Sequence, residues 1–121
     1  MTKYYNIYDR KSFPAGRTII HNNDLPLNAY LIQSGTAEVF RETANGRTLV
    51  AKLEPGDIIG DMAIIRGTKH QSTVVASENL VVVVIPPEHL KKSIETAPPL
   101  VKTLLNGLIQ KLDRASKEKE I

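Results

Sequence analysis

Six short β-prone runs, each closed by a turn signal, occupy the stretch from about residue 12 to 86: Thr18–Ile20, Asn28–Ile32, Thr36–Glu42, Thr48–Leu53, Ser72–Ala76 and Leu80–Ile85. That alternation is the pattern of a β-sandwich or barrel. The punctuation is chemically specific: Asn22-Asn23-Asp24, Ser34-Gly35, Ala44-Asn45-Gly46 and Glu54-Pro55-Gly56-Asp57 all favour turns. Asn45-Gly46 is the strongest hairpin signal, because a tight primed turn needs positive φ and these two residues tolerate it. The run Val81-Val82-Val83-Val84-Ile85 is apolar without alternation, which predicts a strand buried on both faces and far too short to cross a membrane.

The character changes after Ile85. Pro86-Pro87 closes the last strand, and Pro87 suits the first position of a helix that carries Leu90 and Ile94 inward. Pro98-Pro99 breaks that helix and starts another, in which Val101, Leu105, Leu108 and Leu112 follow a 4-3-4 spacing flanked by Leu100, Leu104 and Ile109. So wide a stripe predicts contact with more than one surface. Gly107 in its middle costs about 1 kcal/mol relative to alanine. Residues 115–121 read as frayed and solvated. At the other end, Tyr4, Tyr5 and Tyr8 form an aromatic cluster expected to cover one end of the β-structure.

Composition narrows the classes. A chain of 121 residues buries one core, so residues 1–121 are read as a single domain with β-structure over about 10–86 and helices over about 87–115. There is no cysteine, which removes disulfides, thiolate catalysis and Cys-based metal sites and suits a reducing cytoplasm. The net charge of +3 comes from 16 Lys/Arg against 13 Asp/Glu, interleaved as in Lys117-Glu118-Lys119-Glu120, unlike the clustered stripe of a nucleic-acid binder. No signal segment, no membrane span and no DNA-binding helix-turn-helix after the last helix are expected. Neither a Gly-x-Ser-x-Gly elbow nor a phosphate-binding Gly-x4-Gly-Lys-Ser/Thr loop is present. His21, His70 and His89 are far apart in sequence, which argues against the clustered ligands of a metal-binding jelly-roll enzyme. No catalytic residue, metal or resident cofactor is expected.

The segment from 60 to 73 carries the chemistry: Gly60-Asp61-Met62-Ala63-Ile64-Ile65-Arg66-Gly67-Thr68-Lys69-His70-Gln71-Ser72-Thr73. A short helix beginning near Asp61 would offer unpaired backbone N–H groups to an anion, and Gly60 would leave room for the approach. Both residues also have plain structural roles, Gly60 in a tight turn and Asp61 as a helix N-cap. Together with Phe13-Pro14-Ala15-Gly16, Tyr30-Leu31-Ile32-Gln33-Ser34-Gly35 and Leu53-Glu54-Pro55-Gly56-Asp57, this segment resembles the phosphate-binding cassette of the cyclic nucleotide-binding domain family in order and spacing. The likeness covers roughly residues 10–112. It implies a mainly β fold, a jelly-roll-type β-roll of near eight strands with a short cassette helix and two C-terminal helices.

The same resemblance places the ligand contacts. The family's Glu, which accepts from a ribose hydroxyl, falls on Asp61; its Arg, which pairs with the phosphate, falls on His70; its small hydroxyl residue falls on Gln71. Gly60, Met62, Ala63 and Ser72 complete the candidate set, with cAMP or cGMP, or another small anion, as the ligand. Asp61 is shorter than Glu by about 1.5 Å of reach. His70 lacks the guanidinium fork and is mostly neutral near pH 7, since histidine's ordinary pKa is about 6.5. Arg66 and Lys69, on the same loop, are candidate substitutes for the lost charge. Protonated His70 would give an affinity that rises on acidification, which an arginine at 70 would not. Two functional classes follow: a non-enzymatic sensor that stands alone and reports a cyclic nucleotide, or a scaffold for protein contacts whose pocket no longer takes one. In either case the resemblance implies a homodimer through the last helix.

Overall fold

A computed structural model describes residues 8–119, with side chains described through residue 115. Tyr4 and Tyr5 lie outside the described residues; Tyr8 packs against His89 with ring centroids 5.6 Å apart. Eight strands and three helices follow one another as β1 (Arg10–Phe13), β2 (Thr18–Ile20), β3 (Ala29–Ser34), β4 (Ala37–Thr43), β5 (Gly46–Leu53), β6 (Ile58–Ile59), α1 (Asp61–Arg66), β7 (Thr73–Ala76), β8 (Leu80–Ile85), α2 (Pro87–Glu95) and α3 (Pro99–Lys119). They form two compact units that divide between His89 and Leu90.

The first unit is a roll of two antiparallel four-stranded sheets, ordered β1-β8-β3-β6 and β2-β7-β4-β5. Its core lies between them. Phe13, Tyr30, Ile32, Ile59, Leu80 and Val82 face inward from one sheet, and Ile20, Ala37, Val74 and Ala76 from the other. Each fully buried aliphatic side chain of this kind contributes roughly 1.5–3 kcal/mol of burial free energy. β8 sits between β1 and β3, and its consecutive Val82 and Val83 are both buried although they point to opposite faces. The all-apolar run therefore behaves as expected.

Two strands lack a local signal. β1 reads Arg-Lys-Ser-Phe and β6 is only Ile-Ile; both exist through register with a partner, Phe13 opposite Leu80 and Ile59 opposite Tyr30. The β4–β5 hairpin forms as expected, but its turn falls on Ala44–Asn45, with Thr43 paired to Gly46. Of these residues Gly46 alone has positive φ, at 116°, and it is already paired in β5 rather than serving as the second residue of a primed Asn-Gly turn. Asn45 stays at negative φ, which relieves the steric cost that a Cβ brings there. β5 is an exposed edge, and Val50 is left without a partner between the Val39–Ala51 and Phe40–Leu49 pairs. That bulge, with Arg47 and Lys52 on the same strand, blunts the edge against pairing with other chains.

Turns are tied back to the sheets by backbone bonds. Gly16 donates to Ala76 at 2.7 Å and Ala76 to Arg17 at 2.9 Å. Ile32 donates to Asp57 and Gly56 to Ile32, both at 3.0 Å, while the Asp57 carboxylate accepts from the Glu54 N–H at 2.8 Å. Asp57 is thus a turn residue, as its surroundings in sequence suggest.

α2 begins at Pro87 as expected, and its Leu90 and Ile94 are half-buried. In the second unit α3 runs to Lys119, beyond the point at which the sequence reads as frayed, with an N-terminus set by Pro99. Leu100, Val101, Leu104, Leu108 and Leu112 are exposed along it, and Leu105 and Ile109 half-buried. Among the described residues no helix is long and apolar enough to cross a membrane.

Candidate functional site

β6 delivers the chain to Gly60 at a fixed point, because Ile59 pairs with Tyr30. There the backbone turns sharply. Gly60 has φ 81° and ψ 8°, a left-handed conformation that L side chains resist, and it is the N-cap of α1. A Cβ at this position would lie 2.7 Å from Ile20 Cδ1 and 3.3 Å from His70 Cε1. Glycine is required for the backbone angle, while the crowding is secondary because Ile20 Cδ1 is the far end of a flexible side chain.

Asp61 is therefore the first helical residue rather than the N-cap expected from sequence, since the left-handed turn leaves the cap position to Gly60. Its half-buried carboxyl is pushed above the usual carboxylate range by desolvation. The backbone N–H groups of Asp61 and Met62 and the charge of Arg66 oppose that rise. α1 lasts six residues, buries Ala63 and Ile64, and ends at Gly67 with φ 68°. Gly67 donates to Ile64 at 3.3 Å and Thr68 to Ala63 at 3.0 Å, satisfying carbonyls at the helix end.

His70 comes next, and its position follows from backbone bonds made far away in sequence. Its N–H donates to Asp24 at 2.9 Å and its carbonyl accepts from Asn23 at 2.8 Å. The side chain is only 7% exposed. Burial lowers the imidazole pKa from the ordinary 6.5, and the nearby charge of Asp24 partly offsets this. Beyond it Gln71 is exposed, Ser72 half-buried, and the chain enters β7.

All seven candidate residues, Gly60, Asp61, Met62, Ala63, His70, Gln71 and Ser72, line one cavity of about 250 Å³. Its apolar wall comes from Val39, Leu53, Ile58 and Val74, and its remaining rim from Arg66, Thr68 and Lys69. Sequence carries no local signal for that wall, since the four residues lie on four different strands, three in one sheet and Ile58 in the other, that meet only when the roll forms. The cavity is below the roughly 300–1,000 Å³ of drug-sized ligand sites, so a nucleotide would keep part of itself in solvent. An apolar wall facing a polar, cationic rim suits a small anion with an apolar or planar portion. His70 also lines a neighbouring hollow of about 150 Å³ with Ile20, Leu25, Leu27 and Tyr30.

Of the three histidines, His21 and His70 line that same hollow together with Asp24. His21 Nδ1 lies 3.8 Å from the Asp24 carboxylate and His89 packs on Tyr8. Among the described residues no group of three His, Cys, Asp or Glu is placed to hold a metal.

Comparison with known proteins converges on one family. Residues 10–97 match the cyclic nucleotide-binding domain. The chain is similar to the cyclic AMP receptor protein of Thermus thermophilus, 28% identical over 116 residues that make up 94% of this chain and 53% of the relative. It is also similar to the acetyltransferase Pat of Mycolicibacterium smegmatis, 38% identical over 66 residues, 54% of this chain and 20% of the relative. The chain thus spans about half or less of the length of these curated relatives. Among solved structures, the Thermus thermophilus catabolite activator protein superposes with a TM-score of 0.78 at 26% identity, over 96% of this chain and 55% of that one. The cGMP-bound form of the EAL enzyme Bd1971 has a TM-score of 0.82 at 21% identity, over 91% of this chain and 30% of that one, a likeness of fold alone.

Proposed function

The chain belongs to the cyclic nucleotide-binding domain family, and from that premise we propose that it is a non-enzymatic regulatory domain whose cassette cavity takes cAMP or cGMP. One observation carries the reading: Gly60 to Ala63 and His70 to Ser72, ten residues apart at their starts, line a single cavity around the left-handed turn that opens α1. In this reading Gly60 and Ala63 admit the cyclic phosphate to backbone N–H groups, Asp61 faces the ribose, and Gln71 and Ser72 supply further donors. No metal or resident cofactor takes part. The absence of cysteine accords with action in a reducing cytoplasm.

A second reading has its own support. His70, in the position of the family's arginine, is buried and shifted toward the neutral form, and the cavity is small. Those features favour a scaffold that has lost the nucleotide and works through protein contacts. In both readings α3 is the seam of a homodimer, because Leu100, Val101, Leu104, Leu108 and Leu112 leave an apolar row exposed.

Thermal melting with cAMP and cGMP separates the two. A ligand at about 100 times its Kd raises stability by about 2.7 kcal/mol, a clear rise in Tm. No rise with either nucleotide at millimolar concentration rejects the sensor reading and leaves the scaffold.

A further inference from the structure

Three charged side chains line the cassette cavity: Asp61, Arg66 and Lys69. Arg66 follows Asp61 on α1 by five residues, and its charge acts directly on the Asp61 carboxyl. The Arg66 charge is therefore partly engaged with Asp61. His70 is buried and shifted toward its neutral form. Lys69 differs from both. Lys69 is exposed, lines the cavity, and makes no ion pair with any described residue.

The backbone around Lys69 is held on both sides. Before it, Thr68 is bonded to Ala63 at 3.0 Å; after it, His70 is bonded to both Asp24 and Asn23. Lys69 thus sits on a short arch with one foot on the cavity wall at Ala63 and the other on the Asn23–Asp24 turn, outside that cavity. Only its flexible side chain has to be ordered on meeting a ligand. A lysine ammonium is a point charge with three donors and a long stem, so it meets a phosphate oxygen without the fixed geometry that a guanidinium fork requires.

We propose that Lys69, not His70, supplies the positive charge that pairs with the phosphate of the bound nucleotide. This rests on the cyclic-nucleotide reading of the same cavity. His70 then serves as a packing residue that holds the arch over Gly60, and the site binds through one mobile ammonium on its rim.

Calorimetric titration of cAMP and cGMP into the parent chain, Lys69→Met, Lys69→Arg and His70→Asn tests this. Lys69→Met is expected to weaken the nucleotide by about 10-fold or more, the scale of one charge-assisted contact. Lys69→Arg is expected to retain most of the affinity, and His70→Asn to lose less than Lys69→Met. The salt dependence is the diagnostic that a merely structural residue would not move: parental affinity falls as KCl rises, and that slope flattens in Lys69→Met. Because Lys69 is exposed, unliganded Lys69→Met should melt at the parental temperature, which separates a lost contact from a lost fold. If the parent binds and Lys69→Met binds within about twofold of it with the same salt slope, the assignment is overturned while the cyclic-nucleotide reading stands. If the parent binds neither nucleotide, that reading falls and the assignment falls with it.

Discussion

The backbone N–H of His70 donates to the carbonyl of Asp24 at 2.9 Å, while the Asp24 charge works against the burial that lowers the His70 pKa. One loop therefore both places the imidazole and tunes it. The net direction is downward from 6.5, so the folded protein binds this proton less readily than the unfolded chain does. Stability from this group is fully present above about pH 6.5 and is lost as pH falls through the lower folded-state value. Urea midpoints should drop on acidification below that point, and His70→Asn should flatten the drop. An unchanged acid limb in His70→Asn would contradict the assignment.

Asp61 titrates with the opposite sign. Its pKa is raised above the ordinary 3.8, chiefly by desolvation, so the folded state penalises the ionised carboxylate. The group's favourable contribution is present below its unfolded pKa and is lost as pH rises through the folded value. Asp61→Asn removes that penalty while keeping an oxygen that accepts from the same N–H groups. The variant should be more stable than the parent near neutrality, with the gap closing toward acid. Urea denaturation of both proteins at about pH 7.5 and about pH 4.5 measures it; a variant less stable at both values would refute the prediction.

Gly60→Ala should damage fold and site together. A non-glycine residue at φ 81° carries a backbone cost of roughly 1–2 kcal/mol. The new methyl would also displace Ile20 Cδ1, at 2.7 Å, and press on the His70 ring at 3.3 Å. Ile20 is a flexible end and can yield, so the backbone cost dominates. Chemical denaturation should show a loss of about that size, with nucleotide affinity reduced as well. A fully stable Gly60→Ala would show that the turn tolerates a side chain.

The row along α3 predicts an association state. Sedimentation of the intact chain at micromolar concentration should give a dimer. Leu108→Glu, which places a charge at an exposed apolar position, should shift it to monomer while the β-roll keeps its circular dichroism signature. A parent that sediments as a monomer rejects the seam.

Much of the fold was legible because its signals are local. Thr18–Ile20 and Leu80–Ile85 are strands at the residues read from sequence, Pro87 and Pro99 open their helices, and Gly60 marks the turn before the cassette helix. β1 and β6 were not legible, because four residues with three polar side chains and a bare Ile-Ile pair become strands only beside Leu80 and Tyr30. The hairpin turn was legible in place but not in register, since Asn45-Gly46 specifies a bend while the pairing of Thr43 with Gly46 decides which residues make it.

Sequence by itself therefore determined the family resemblance, six of the eight strands, the helices after them, and the seven candidate residues of the cassette, since turn chemistry and hydrophobic spacing act over a few neighbouring residues. Tertiary structure alone decided the electrical character of that site. His70 has the same imidazole on paper as at the surface. Burial against Ile20 and Gly60, with Asp24 forty-six positions upstream, lowers its pKa, because desolvation and charge act through space rather than along the chain.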